Sequence, residues 1–218
     1  MKGAAKTISQ PHIKFGKALA IEQLIGLTAE LQNLRTHPPL VRRSDGKYEG
    51  DILGFVKGLR LSARIIYFLR EHLSGTDLEV SWGHLIDEND ESCSPECDVI
   101  VHAKGHVRKW NGQHDHPIMD FRFIRAESTR AVISCKSSLN SVDRIYPKAL
   151  RSYGVQNIFL FAECCEDRRF LSLRKKAESA GYSGLWCLYL TQDSGTPFKT
   201  DESMYDEFGK AVLKAVRR

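Results

Sequence analysis

Pro95-Glu96-Cys97-Asp98-Val99-Ile100-Val101 and Arg130-Ala131-Val132-Ile133-Ser134-Cys135-Lys136 decide the fold when they are read together. The first is an acidic residue opening an apolar, β-branched run. The second is an apolar run that ends in a lysine. Alternate residues of a strand share a face. Glu96 and Asp98 therefore point one way on their strand, and Ser134 and Lys136 one way on theirs. If the two strands lie side by side, carboxylates and an ammonium converge at one edge of a sheet, an arrangement able to hold a divalent cation.

The rest of the chain sets the frame for that pair. A length of 218 residues fits one domain, or one domain with a helical extension, enough to bury a core. With 42% apolar and 27% charged residues the composition is that of a soluble globular protein. The net charge of +5 favours a polyanionic partner without requiring one. No apolar run approaches the roughly 18 residues of a membrane helix, and no apolar core follows the lysines of residues 1–10, so neither a membrane span nor a signal peptide is expected. Cys97, Cys135 and Cys187 sit inside apolar runs, where buried reduced thiols are common. Six cysteines so placed do not read as a secreted disulfide framework, and a cytoplasmic location is expected.

Periodicity predicts a helix over 15–35, ended by His37-Pro38-Pro39, and a second over 49–73 with Ile52, Phe55, Val56, Leu59, Ala63, Ile66, Phe68 and Leu69 as its buried stripe. Strands are expected at 78–87, 96–102, 121–124 and 128–135, with a polar loop over 105–117. Ser137-Ser138-Leu139-Asn140-Ser141 reads as a turn with cap residues. A helix over 142–153 follows, with Pro147 arguing for a late or kinked start. Then come a strand at 156–162, a helix at 168–180 closed by Gly181, a strand at 184–190 and a helix at 202–216. The layout is α/β, with a mixed central sheet and helices on both faces.

With these motifs in this order the chain resembles the PD-(D/E)XK superfamily, the restriction-endonuclease-like nucleases. That pattern is a helix carrying a Glu, a β-meander with an Asp opening its second strand, and Asp/Glu-X-Lys on its third. Asp98 matches the lone Asp, and Ser134-Cys135-Lys136 matches the tripeptide with Ser in place of the acid. The 35 residues between Asp98 and Ser134 leave room for a hairpin with the long loop at 105–117. The resemblance covers roughly residues 49–190, through Trp82-Gly83-His84-Leu85-Ile86-Asp87 and Val132-Ile133-Ser134-Cys135-Lys136-Ser137-Ser138-Leu139. It implies a helical N-terminal segment over 1–45 and a nuclease domain over 46–218. It also implies metal-dependent hydrolysis of DNA phosphodiesters with Mg²⁺ or Mn²⁺, in restriction or phage defence, by a homodimer or a larger defence complex. Asp98 would be the principal metal ligand, with Cys135 ligating through its main-chain carbonyl. Lys136 would orient water and offset developing charge.

Two positions depart from the pattern. Ser134 is neutral and a weak Mg²⁺ ligand, and Ser62 stands where the helix acid is expected. Glu96 is the nearest substitute carboxylate, one pleat before Asp98; Asp143 and Glu163 are others. The alternative is a catalytically degenerate subunit that keeps the fold and binds nucleic acid or a partner protein without cleaving. Cys93-X3-Cys97-X4-His102-X3-His106 has the residue types of a zinc site, but an extended strand from Cys97 to His102 cannot fold around one ion. Trp110 and His114-Asp115-His116 fall in the polar loop. Basic groups cluster at Arg168-Arg169 and Arg174-Lys175-Lys176, as sequence-independent phosphate contacts or as a solvated helix face.

Overall fold

In the computed structural model the described residues are 50–89, 91–107, 121–191 and 202–217. The expected 1–45 segment, the helix over 15–35, Trp110 and the His114–His116 cluster lie outside them. The apolar runs become the strands of one mixed sheet. In chain order the elements are α1 (Gly50–His72), β1 (Leu78–Ile86), β2 (Cys97–Ala103), β3 (Phe121–Arg125), a 3₁₀ turn (Ala126–Ser128) and β4 (Thr129–Leu139). They continue with α2 (Tyr146–Ser152), β5 (Ile158–Glu166), α3 (Asp167–Ala180), β6 (Gly184–Thr191) and α4 (Glu202–Val216). Among the described residues no helix is long and apolar enough to cross a membrane.

The strand order is β3-β1-β2-β4-β5-β6. β1 pairs antiparallel with β2, and β2 antiparallel with β4. β4, β5 and β6 run parallel. Parallel neighbours need a crossover, and α2 and α3 supply the two. Right-handed crossovers in one direction put both helices on the same face. The opposite face takes α4, whose Phe208 ring lies 4.6 Å from Phe161 and 5.8 Å from Trp186. On that face α1 brings Ser62 to the thiol of Cys135. With helices on both sides, β5 and β6 are buried almost throughout and β4 is buried over 131–135, as continuous apolar runs require.

Local chemistry explains the helix limits. α1 buries Leu61, Ile65, Phe68 and Leu69, a stripe of period near 3.6 that Leu73 continues just past its end. Arg70 then ties it to the sheet, with Nε and Nη2 donating to the Val80 carbonyl at 3.1 and 2.7 Å. In α3, Phe170, Leu173 and Ala177 face inward. Gly181 ends it at φ 104°, while the Tyr182 N–H returns to the Ala177 carbonyl at 3.0 Å.

The structure corrects several expectations. Strand β4 does not stop at Cys135; it continues to Leu139, because β5 keeps pairing with it as far as Leu139↔Cys165. The expected turn at Ser137-Ser138-Leu139 is therefore strand, and Lys136 lies within β4 rather than at its end. β5 correspondingly runs to Glu166. The helix expected over 142–153 starts only at Tyr146, with Pro147 in its first turn. The Asp143 carboxylate instead accepts the N–H groups of Ile145 and Tyr146 at 2.8 and 3.2 Å. β3 does not form a hairpin with β2. It crosses to the outer edge and pairs in parallel with β1, so the meander is β1-β2-β4.

That edge pairing depends on Gly83, which sits at a register shift of β1 with φ 142°. A Cβ there would stand 1.9 Å from the Arg122 carbonyl oxygen of β3. Gly75 also has positive φ, at 81°, but a Cβ on it would meet nothing within 4 Å. Gly75→Ala is expected to cost only backbone strain, about 1–2 kcal/mol. Gly83→Ala adds a clash with main chain and is expected to cost about 2–4 kcal/mol. Urea unfolding of the two variants beside the parent checks the ranking.

Candidate active site

The site forms where β2 and β4 stop pairing through their backbones. The ladder runs from His102↔Thr129 to Val99↔Ile133. One residue further, the Cys135 N–H donates to Asp98 Oδ2 at 2.8 Å. The side chain of β2 thus takes a donor that a main-chain carbonyl would take in a regular ladder. The Ser134 hydroxyl lies 3.4 Å from the same oxygen, long for an O–H···O bond, so the N–H is the main restraint. A residue's N–H and C=O point the same way in an extended strand. The Cys135 carbonyl is accordingly turned toward β2 as well.

Lys136 and Glu96 join from either side. Lys136 is exposed and shares the face of Ser134. Glu96 is exposed, just ahead of β2, and its main-chain carbonyl accepts the Tyr146 hydroxyl at 3.2 Å. Both charges act on Asp98. Its carboxyl is held above the ordinary carboxylate value, chiefly because burial disfavours the charge. The Cys135 N–H, the Lys136 ammonium and the Ser134 hydroxyl work the other way, and the Glu96 charge adds to the rise. All four side chains expected at the site, and the Cys135 main chain, therefore stand around one strand edge.

The other candidates do not. Glu163 is buried, and the register places it opposite Ser137, on the face of Phe161 and away from Ser134 and Lys136. Asp143 spends one oxygen on the turn before α2, and the Tyr182 phenol is pushed up by burial first and then by the charges of Asp143 and Asp98. Ser62 sits on the far face, donating to the Gly58 carbonyl at 3.0 Å beside the Cys135 thiol. At that position α1 presents a hydroxyl, on the far face, rather than a carboxylate. The zinc reading has no support: His102 is buried, with Nδ1–H donating to the Ala103 carbonyl at 2.9 Å and Nε2 accepting from Ser81 at 3.0 Å. Burial depresses its pKa, in keeping with a neutral ring. Tyr146 is the contact that sequence reasoning missed; nothing in Ile145-Tyr146-Pro147 signals that its hydroxyl reaches across to Glu96.

Among the described residues no group of three or more His, Cys, Asp and Glu side chains could hold a metal ion. Mg²⁺ asks less than that of a protein. It is commonly held by one or two carboxylates, with waters and substrate oxygens completing six positions. Asp98, Glu96 and the Cys135 carbonyl fit that smaller requirement.

Burying Asp98 has a pH signature. Its pKa is higher folded than unfolded, so the folded state binds more protons between the two values. Stability then falls as pH rises through that window, and the full penalty is present at neutral pH. Asp98→Asn, which keeps the acceptor for the Cys135 N–H, is expected to raise Tm at pH 7. The gain should shrink as pH drops through the ordinary carboxylate range. Thermal unfolding of both proteins across that range checks it; an equal gain at every pH contradicts the buried-charge account.

No protein-family profile and no curated protein matches the sequence. Solved structures do. The chain superposes on NucC of Pseudomonas aeruginosa ATCC27853, in its cAAA-bound form, with a TM-score of 0.56 at 12% identity over 91% of this chain and 90% of that one. The cAAA-bound form of NucC from Escherichia coli MS115-1 gives 0.54 at 12% identity over 99% and 93%. The fold of this chain, a six-stranded mixed sheet between helices, is therefore similar to that of NucC.

Proposed function

We propose that this chain is a divalent-metal-dependent endonuclease that hydrolyses DNA phosphodiester bonds in phage defence. One observation carries the reading: Asp98, Ser134 and Lys136 meet where β2 and β4 part, with the Cys135 amide locking the carboxylate in place. The fold shared with NucC, a phage-defence endonuclease, supports it. So does the PD-(D/E)XK order of motifs, with serine at the first tripeptide position.

The residues divide the work by chemistry. Asp98, Glu96 and the Cys135 carbonyl would hold Mg²⁺ or Mn²⁺. When bound, the ion would polarise a phosphate oxygen and make water a better nucleophile. The N–H of Cys135 fixes the Asp98 carboxylate before substrate arrives, so little reorganisation is needed. Lys136, solvent-facing on the same side, orients the attacking water and offsets the negative charge that builds on the phosphate. Ser134 leaves the site one acid short, which calls for a high metal concentration. Cutting both strands of a duplex needs two such sites, so a homodimer or larger assembly in the cytoplasm is the working form.

The departure at Ser134 and the missing third ligand also favour a second reading, a non-cleaving subunit that binds DNA or a partner protein. Plasmid incubated with Mg²⁺ or Mn²⁺ separates the two. The endonuclease reading expects nicking or linearisation, stronger with Mn²⁺, that falls at least about 100-fold in both Asp98→Asn and Lys136→Ala. Cleavage that survives both substitutions, or no cleavage with either metal, overturns it.

A further inference from the structure

A groove separate from the site lies between the loop ahead of α2 and the outer face of α3. It is lined by Arg144, Arg168, Leu171, Ser172, Lys175, Lys176 and Ser179, with a volume of about 560 Å³. Four of these seven side chains are cations and none is acidic. On α3 the members recur at intervals of three and four residues, so they form one exposed face. Arg168 also pairs with Glu166 at 3.2 Å, at the rim. The run from Arg168 to Ser179 covers about 16 Å of helix at 1.5 Å per residue. At about 3.4 Å of duplex axis per base pair, that length lies along about five base pairs of a duplex.

We infer that this groove is a second contact surface for DNA, gripping the phosphate backbone of a duplex beside the site. The inference rests on the nucleic-acid reading above but not on cleavage. Charge complementarity selects a polyanion. Among the described lining residues there is no Phe, Tyr or Trp, which favours a duplex, because grip on single strands depends on stacking bases against aromatic rings. The exposed hydroxyl of Ser172 donates to phosphate oxygens as neutral contacts do. The groove is also joined to the site through the chain. Arg144 follows Asp143, whose carboxylate fixes the turn, and precedes Tyr146, whose hydroxyl binds the Glu96 carbonyl. A duplex lying along α3 is thereby led toward the strand edge that carries Asp98.

The test measures binding alone. Asp98→Asn protein in EDTA is titrated against a short fluorescein-labelled duplex of arbitrary sequence, over a range of salt concentrations. On that background Lys175→Glu with Lys176→Glu should weaken binding at least about tenfold and reduce the log–log salt slope by about two. Arg144→Glu should weaken it in the same direction. Lys214→Glu, an exposed cation of α4 on the opposite face, should leave binding unchanged. Circular dichroism of each variant confirms that it is folded. Duplex binding unaffected by the groove substitutions overturns the inference. So does a single strand that competes as well as the duplex at equal phosphate. Plasmid cleavage by the parent protein is scored separately. Groove-dependent binding without cleavage defeats the endonuclease and leaves the groove standing; cleavage with groove-independent binding does the reverse.

Discussion

One hydrogen bond organises the site: the Cys135 amide donating to the Asp98 carboxylate across the end of the β2–β4 ladder. It replaces a backbone pairing with a side-chain pairing. The two strands are held together without covering the face above them, and an acid is kept oriented at the opening. The rest of the fold serves that junction. β5 and β6 extend the sheet and bury its far half, while α1 and α4 close the opposite face. Tyr146 braces the chain just ahead of β2.

The architecture was readable because its strongest signals are local. Apolar runs at 130–135 and 156–162 cannot be solvated and form the central strands β4 and β5. Phe170, Leu173 and Ala177 repeat at helical spacing, and Gly181 ends that helix as its type suggests. Pro147 delayed α2 for the reason its ring gives, a lost donor and a fixed φ. The pairing of Asp98 with Ser134 was also legible, since alternation plus antiparallel neighbours leaves them facing each other.

What the sequence hid is non-local. Ser137-Ser138-Leu139 has turn composition, yet β5 offers partners along its whole length and the tertiary ladder overrides local preference. The passage of β3 to the outer edge depends on Gly83 letting two backbones meet, visible only once the edge is formed. Glu163 looked like a spare ligand from spacing alone; strand parity turned it to the wrong face. The sequence pattern puts Ser62 where the helix acid is expected, but the helix carries it to the Cys135 thiol on the far face rather than to the carboxylate.

The cysteines give the molecule one further property. Burial raises the thiols of Cys97, Cys135, Cys165 and Cys187 above their ordinary value, and Cys164 is half-covered with its thiol on the Ser137 carbonyl. Cys93 is the exposed one of the six. It lies three positions ahead of Glu96 in the chain, in a bridge to Ile86. An alkylating reagent would therefore reach that position first, giving a ready attachment point for a spectroscopic reporter just before β2 without any engineering of the chain.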